Sequence, residues 1–148
     1  MDRFIYITPE QARITHKKTI QYSGGGTLEE LDFEKLESVL CNIQNDDWYP
    51  TFVDKLTHLF FCTCQFHSFA DGNKRLAITL STLFLLLNGY LSIAETFLSK
   101  TENISLNVAA SKIDKELLHK IMEAIMNGSY DEDEALKLEI YNAINREL

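Results

Sequence analysis

The chain has 148 residues, of which 45% are hydrophobic and 24% charged, so its composition predicts one packed globular domain rather than a disordered tail. Its formal net charge of −8 excludes the positive field that non-specific nucleic-acid binding needs, and it predicts repulsion from anionic lipid. The longest run of aliphatic and aromatic residues, Leu83–Leu87, is far shorter than the ~20 residues of a membrane span, and no signal-peptide pattern is present. We therefore expect a cytoplasmic protein without nucleic-acid or membrane partners.

The first third of the chain predicts two helices separated by a break. Thr8–Gln11 predicts the start of the first helix, which runs to about Gln21, because it combines a capping threonine and glutamine with a proline at the first helical position. The glycine cluster over residues 23–27 is a breaker, and apolar spacing predicts a second helix over about 32–44. Ahead of both, the apolar residues 4–7 are compatible with a small strand.

Two helical segments in the middle of the chain are its most apolar part. The first begins near Phe52, and the second runs from about Asn73 to Leu87 with apolar residues on most of its sides. Such a helix is typical of the centre of a bundle. Residues 94–127 predict two or three shorter helices, so the expected fold is all-α: a helical bundle around a central apolar helix, with at most a small β-hairpin.

The last 18 residues differ from the rest in charge. Residues 131–148 carry six acids and two bases. Their apolar residues recur every four positions: Leu136, Ile140, Ile144 and Leu148. We therefore predict a catalytic domain over 1–130 and an acidic amphipathic helix over 131–148, which either packs on the bundle or exchanges with a partner.

The three cysteines are Cys41, Cys62 and Cys64. This is an odd number, and their spacings suit neither a zinc knuckle nor a redox pair. We expect reduced thiols that pack as small apolar groups. We expect packing or surface roles for His16, His58 and His119.

The segment that joins the two central helices, residues 65–75, is unusually polar for its place. Burying such groups without partners costs roughly 1–3 kcal/mol for each unpaired group, so the composition predicts a ligand. Asp71 is a hard oxygen ligand suited to Mg²⁺. Histidine is the side-chain type that most often acts as a general base, and His67 is the one histidine of this segment, so it suits the removal of a proton from an attacking hydroxyl.

The end of this segment has the parts of an anion clamp. Gly72 permits a close approach of the backbone to a ligand, and Asn73 supplies an amide donor at the start of the next helix. Lys74 and Arg75 add two positive charges, which oppose the helix dipole unless an anion is bound. Base, metal ligand and phosphate cradle together indicate transfer of a phosphorus-centred group to an alcohol.

The stretch His67–Arg75 resembles the signature H-x-F-x-D/E-G/A-N-K/G-R of the Fic/Doc superfamily, and Leu83–Tyr90 resembles its Doc (death-on-curing) branch. The resemblance extends more loosely over about residues 5–127. It implies an all-α fold, ATP and Mg²⁺ as cofactors, and a hydroxyl of a target protein as the acceptor.

Carried over residue by residue, the resemblance assigns His67 as the general base and Phe69 as an anchor of the loop. It assigns Asp71 as the metal ligand. The phosphate-binding residues that it implies are Gly72, Asn73, Lys74 and Arg75. The glycines Gly24, Gly25 and Gly26 form either a plain turn or part of a flap that docks the target protein.

Two positions bear on which phosphorus is attacked. Fic enzymes that transfer AMP usually carry glycine where this chain has Lys74, and arginine where it has Ile78. Both differences resemble the Doc arrangement, which implies transfer of the γ-phosphoryl group by a protein kinase of the toxin–antitoxin type. Transfer of AMP to a protein remains the alternative.

Three further departures concern activity and control. Gln65, Ser68 and Leu76 replace residues that are frequent in relatives, and the first two leave open a catalytically decayed Fic-like binding module. The inhibitory motif S/T-x-x-x-E-G/N of some Fic proteins does not occur, so the resemblance implies control in trans by an antitoxin. A homo-oligomer is also left open.

Overall fold

The computed structural model describes residues 3–146, which form eight α-helices and one 3₁₀ turn at Tyr130–Glu132. The helices are α1 (Pro9–Tyr22), α2 (Phe33–Asn42), α3 (Phe52–Gln65), α4 (Asn73–Leu87), α5 (Leu91–Lys100), α6 (Glu102–Ala109), α7 (Lys115–Asn127) and α8 (Glu134–Ile144). No strand forms within the described residues, and the one β-type pairing there is an isolated bridge between Glu30 and Phe69. The predicted all-α fold is therefore confirmed.

The helices begin where the capping chemistry places them. Thr8 accepts a hydrogen bond from the Gln11 backbone N–H at 3.1 Å, and the Gln11 side chain accepts one from the Thr8 N–H at 2.9 Å. Thr51 and Asp54 form the same reciprocal box at the start of α3. Each box satisfies two N–H groups that the first helical turn leaves free, so the sequence signal and the structure agree for α1.

The centre of the bundle is the pair α3 and α4. Helix α4 packs against α1, α3, α5 and α6, and α3 packs against α2, α6 and α7. Leu76, Leu80 and Phe84 of α4 are fully buried. Each such side chain stabilises the fold by about 1.5–3 kcal/mol, which explains why the most apolar segment of the sequence is the central helix.

The segment before α1 is extended but pairs with a side chain instead of a strand. The Ile5 N–H donates to Asn88 Oδ1 at 2.8 Å, and Asn88 Nδ2 donates to the Ile5 carbonyl at 2.9 Å. The small strand expected here is therefore absent, because one asparagine after α4 supplies both of the hydrogen bonds that a strand partner would make.

Helix α8 packs on α7 through its apolar stripe. Leu136 and Ile140 are buried, Ile144 is half-buried, and Leu148 lies outside the described residues. The ion pair between Lys120 of α7 and Glu139 of α8, at 3.2 Å, adds to this contact. Lys100, the last residue of α5, pairs with Asp131 of the 3₁₀ turn at 2.8 Å. Within this chain the described part of the tail packs on α7, and exchange with a partner stays a prediction.

The cysteines are free thiols in two different environments. Cys62 and Cys64 are buried in α3, as expected, but Cys41 is exposed on the outer face of α2, so the packing role predicted for it is wrong. Among residues 3–146, no helix has both the length and the apolar character to cross a bilayer.

Candidate active site

The loop between α3 and α4, residues 67–72, is tied to the chain that follows α1. We call these six residues the signature loop. The Ser68 carbonyl accepts the backbone N–H groups of Leu31 and Asp32 at 2.9 and 3.1 Å, and the Ala70 N–H donates to the Glu29 carbonyl at 2.9 Å. The loop is therefore held by backbone hydrogen bonds on one side, which leaves its other side open.

Phe69 anchors the signature loop in the core. Its side chain is 2% exposed and stacks on the ring of His16, with centroids 3.6 Å apart and planes 9° apart, while Phe33 meets it edge-on. His16 is itself buried, and its Nε2 lies 2.8 Å from the Asp71 carbonyl. Since a carbonyl only accepts, His16 carries its proton on Nε2 and fixes the backbone at Asp71. This histidine therefore does more than the packing that the sequence suggested.

The Asn73 side chain closes the loop onto itself. Its Nδ2 donates to the Phe69 carbonyl at 2.8 Å, and its Oδ1 accepts the Phe69 N–H at 3.2 Å. The amide is thus engaged with the loop backbone, and Asn73 offers a ligand its backbone N–H more readily than its side chain. That N–H belongs to the first turn of α4.

Gly72 sets the direction in which α4 begins. Its φ of 81° lies in the left-handed region, and an added Cβ would stand 2.7 Å from Ile20 Cδ1. No side chain caps the helix, so the first N–H groups of α4 have neither an intrahelical nor a capping acceptor. With the helix dipole, these free donors form a binding position for an anion.

An open cleft of about 420 Å³ lies in front of this helix start. His67, Asp71, Lys74 and Arg75 line it with exposed side chains, and helix α6 forms the opposite wall. The complete lining is Cys64, His67, Ala70, Asp71, Gly72, Asn73, Lys74, Arg75, Ile78, Glu102, Ser105 and Leu106. The residues assigned to catalysis, metal and phosphate therefore border one space, whereas Phe69 is buried and does not line it.

Two cations, Lys74 and Arg75, and two carboxylates, Asp71 and Glu102, line the cleft. Within residues 3–146, no carboxylate lies at ion-pair distance from Lys74 or Arg75, so both charges are available. Burial raises the pKa of the Cys64 thiol to about 12, although Lys74 opposes this, so the cysteine on the wall is not a nucleophile at neutral pH.

The described residues contain no group of three or more histidine, cysteine, aspartate and glutamate side chains that would hold a metal by themselves. Asp71 is an exposed carboxylate on the cleft. One carboxylate together with substrate phosphates is the usual way in which proteins hold Mg²⁺. The residues present therefore fit a magnesium ion that arrives with a polyphosphate.

The glycine segment reaches this site at one of its three glycines. An added Cβ on Gly26 would lie 2.5 Å from Asp71 Oδ2, whereas Gly24 and Gly25 have open space around them. The chain after the glycines is pinned by Arg13, whose Nε bonds Glu30 at 2.8 Å. Gly26 thus packs against the Asp71 carboxylate, and Gly24 and Gly25 do not contact it.

The sequence did not reveal the far wall of the cleft. Glu102, Ser105 and Leu106 come from α6, about thirty residues beyond the signature loop along the chain. Ser105 Oγ donates to the Glu102 carbonyl at 2.8 Å, whereas the Glu102 side chain is exposed. Nothing in the α6 sequence distinguishes these residues from an ordinary amphipathic helix, so only the packing of α6 against α3 and α4 brings them to the site.

Comparison with known protein families identifies the family of this chain. A family model described as the Fic/DOC family matches residues 6–85, which is more than half of the chain. The matched part runs from the segment before α1 through the signature loop and most of α4. No curated protein and no solved structure matches the chain.

Proposed function

The chain belongs to the Fic/DOC family, and we propose that it is a Doc-like protein kinase, which transfers the γ-phosphoryl group of ATP to a hydroxyl side chain of a target protein. The observation that carries the proposal is the cleft at the start of α4. It joins an exposed imidazole, an exposed carboxylate, two cations without acidic partners and an uncapped helix N-terminus. Those are the groups that phosphoryl transfer requires.

The phosphates of ATP bind at the start of α4 in this proposal. The free N–H groups of its first turn, the Lys74 ammonium and the Arg75 guanidinium hold the negative oxygens. Asp71, whose backbone is fixed by His16, would hold Mg²⁺ together with these oxygens. The metal ion supplies charge neutralisation at the phosphates. A cleft of about 420 Å³ is in the range of small-molecule sites.

His67 removes the proton from the attacking hydroxyl. As the hydroxyl oxygen bonds to the γ-phosphorus, the bond to the bridging oxygen of ADP breaks, and the proton passes to the imidazole. The position of His67 supports this role, because its side chain is exposed on the cleft and the loop behind it is anchored by Phe69. Positioning by a rigid loop is what makes such a base effective.

Two residues favour phosphoryl transfer over AMP transfer. Lys74 and Ile78 both line the cleft, at the positions where AMP-transferring relatives carry glycine and a further arginine. Lys74 fills space near the proposed phosphate position, and Ile78 supplies no second guanidinium there. Both differences support attack at the terminal phosphorus.

Differentially labelled ATP tests this proposal. The protein is incubated with Mg²⁺, soluble host proteins and ATP labelled either at the γ-phosphate or in the adenine. A kinase leaves label on protein only from the γ-phosphate. Label retained from adenine instead would show AMP transfer, and mass spectrometry of the modified target would identify the added group and its acceptor residue.

A decayed binding module is the competing function, and Gln65 is the residue that bears on it. Its Nε2 donates to the Val108 carbonyl at 2.6 Å, so the structure gives this departure from relatives a role in joining α3 to α6. A thermal shift separates the two functions, because a ligand that binds only the folded state raises the apparent stability. A shift with Mg²⁺ and ATP supports the enzyme, and its absence supports the module.

The proposed partners are a target protein and an antitoxin that acts in trans. A pull-down from the native host with the full chain tests the second of these. Recovery of a co-purifying small protein that suppresses transfer supports it. Recovery of the chain alone, as a monomer or a homo-oligomer, contradicts it.

A further inference from the structure

The active-site cleft continues into a further space along the side of α4, which we call the side groove. The side groove encloses about 540 Å³, compared with about 420 Å³ for the cleft itself. Arg75, Ile78 and Glu102 line both spaces, so the two join near the start of α4. The rest of its lining comes from α1, from the residue after it, and from α4 and α5: Thr15, Lys18, Thr19, Tyr22, Ser23, Thr79, Leu83 and Leu98.

The walls of the side groove present apolar side chains to solvent. Tyr22 of α1 is 89% exposed, and Leu98 of α5 is 49% exposed. Helix α4 packs against both of these helices, and its residues Ile78 and Leu83 are half-buried in the groove. A freely exposed aromatic ring can stack on a planar group, and aliphatic side chains cover the rest of such a group. The side groove therefore suits a flat, uncharged group.

The hydroxyl groups of the side groove offer acceptors to a ligand. Thr15 Oγ1 donates to the Gln11 carbonyl at 2.7 Å. Ser23 Oγ donates to the Ile20 carbonyl at 3.2 Å. Because each hydroxyl proton is already used by the helix, only lone pairs remain for a bound molecule. Such acceptors suit an amino group on the planar ligand.

The charged residues indicate where a bound polyphosphate ends. Arg75 and Lys18 are the cations of the side groove, and Glu102 is its carboxylate. Within residues 3–146, neither Lys18 nor Glu102 takes part in an ion pair. A carboxylate repels phosphate oxygens but accepts hydrogen bonds from the hydroxyls of a ribose, as acidic residues do in dinucleotide sites. The place of Glu102 at the junction of the two spaces therefore favours a sugar there over a further phosphate.

We propose that the side groove binds the nucleoside of ATP, with the base against Tyr22 and Leu98 and the ribose hydroxyls on Glu102. This inference rests on the proposed function, because it takes the phosphates to bind at the start of α4. Arg75 lines both spaces, so it connects the phosphate position with the groove. The cleft itself offers a base less, since no phenylalanine, tyrosine or tryptophan is among the described residues that line it.

Calorimetric titration of the full chain with two ligands tests this placement in the presence of Mg²⁺. One ligand is an ATP analogue with an imido group between the β- and γ-phosphorus, and the other is tripolyphosphate, which lacks the nucleoside. We expect the analogue to bind at least about tenfold more tightly. Equal affinities would overturn the nucleoside subsite and leave the phosphate site in place. Binding of neither ligand would contradict the proposed function, and this inference with it.

Tyr22→Ala removes the exposed ring. The variant is expected to bind the ATP analogue about fivefold or more weakly and to bind tripolyphosphate as the wild type does. Its melting temperature should not change, because the ring is exposed. Tyr141→Ala, which removes an exposed tyrosine of α8, is the matched control and should leave both affinities unchanged. An unchanged affinity of Tyr22→Ala for the analogue would overturn the proposal.

Two leucines separate the side groove from the α6 wall of the cleft. Leu98 lines the groove and is 49% exposed, whereas Leu106 lines the cleft and is 48% exposed. Leu98→Ala is expected to weaken the ATP analogue about threefold, and more than Leu106→Ala does. Equal effects, or a larger effect of Leu106→Ala, would place the base against α6 and contradict the proposal.

The ribose contact is tested by removing both of its partners. In the absence of a target protein, the wild type is expected to bind ATP about tenfold more tightly than 2′,3′-dideoxy-ATP. Glu102→Ala should remove this preference, because the two contributions are coupled through one interaction. Glu95→Ala, which removes an exposed glutamate of α5, should retain it. A preference for ATP that survives in Glu102→Ala would overturn the assignment of the ribose to this residue.

Discussion

A second cleft, of about 460 Å³, lies at the other end of α3, between the loop after α2 and the start of α7, and the chain builds it differently from the first. The first takes most of its lining from one continuous segment, residues 67–75, and leaves its two cations without acidic partners. The second draws on three separate segments, and most of its charged groups are already paired. Unpaired cations at an uncapped helix start favour a multiply charged anion, whereas the charged groups of the second cleft mostly pair with one another or with neighbouring helices.

The contrast between the two clefts would fail most clearly if the His67 imidazole of the first cleft were dispensable for transfer. His67→Ala is expected to lower the rate of label transfer from γ-labelled ATP by at least about 10²-fold, because a positioned general base contributes about 10²–10⁴-fold. The melting temperature should not change, since the His67 side chain is exposed. His119→Ala, which alters a histidine of the other cleft, is the control and should retain transfer. A wild-type rate in His67→Ala would refute the base assignment.

A buried lysine stabilises the N-terminal end of α3, where the second cleft lies. Lys55 is fully buried, and its ammonium donates to the Ile43 carbonyl and to Asp46, both at 2.7 Å. Lys55→Met keeps the length of the side chain but leaves the carbonyl unpaired, so we expect a loss of about 2 kcal/mol in the free energy of unfolding. Urea denaturation measures this loss. Lys35→Met, which removes an exposed lysine of α2, should change the stability little.

The contact between the glycine segment and Asp71 is testable by two adjacent substitutions. Gly26→Ala places a Cβ 2.5 Å from Asp71 Oδ2, whereas Gly25→Ala meets no atom within 4 Å. Both glycines have a positive φ, so both variants carry backbone strain, and only the first displaces the carboxylate. We expect Gly26→Ala to raise the Mg²⁺ concentration needed for half-maximal transfer about tenfold. An equal effect of the two variants would show that contact between residue 26 and Asp71 does not cause the change.

The smallest expected effect is the pH dependence of the free energy of unfolding that His58 of α3 causes. The pKa of His58 in the folded protein is about 4, below its ordinary value of 6.5, so the unfolded chain binds the proton more readily. Its contribution to stability is therefore complete above pH 6.5 and is lost as the pH falls toward 4. For this half-buried ring we expect a loss of about 1 kcal/mol. The groups that face it are Tyr49, Cys62 and Lys115.

Comparing the wild type with His58→Gln isolates this contribution. The difference in the free energy of unfolding between the two proteins should shrink as the pH falls from 7 to 4. A difference that stays constant over this range would show that the ring is not the titrating group.

The parts of the fold that the sequence predicted well are those set by local interactions. The start of α1 follows from the reciprocal hydrogen bonds of Thr8 and Gln11, and the end of α7 from Gly128 in the left-handed region. The bounds of α4 follow from its apolar run and from the glycines at either side. Residues 4–7 were harder to predict, because the partner of Ile5 is Asn88, far along the chain.

The candidate site likewise has one part that the local sequence predicts and another that depends on tertiary contacts. The signature loop could be identified from sequence because its side chains are contiguous and their chemistry is unusual for a connection between apolar helices. The engagement of the Asn73 side chain with Phe69 and the support of Asp71 by His16 could not, because each depends on how the loop folds back on α1 and α4.

The sequence alone determined that this protein is an all-α member of its family with one polar loop ahead of a central apolar helix, since short-range capping, periodicity and motif chemistry need no distant partner. Only the tertiary structure decided that α6 closes the cleft and that Gly26 meets Asp71. It also decided that Trp48, Thr57 and Lys115 border a second cleft. The physical reason is that these contacts arise from helix packing, which places residues far apart in the chain side by side.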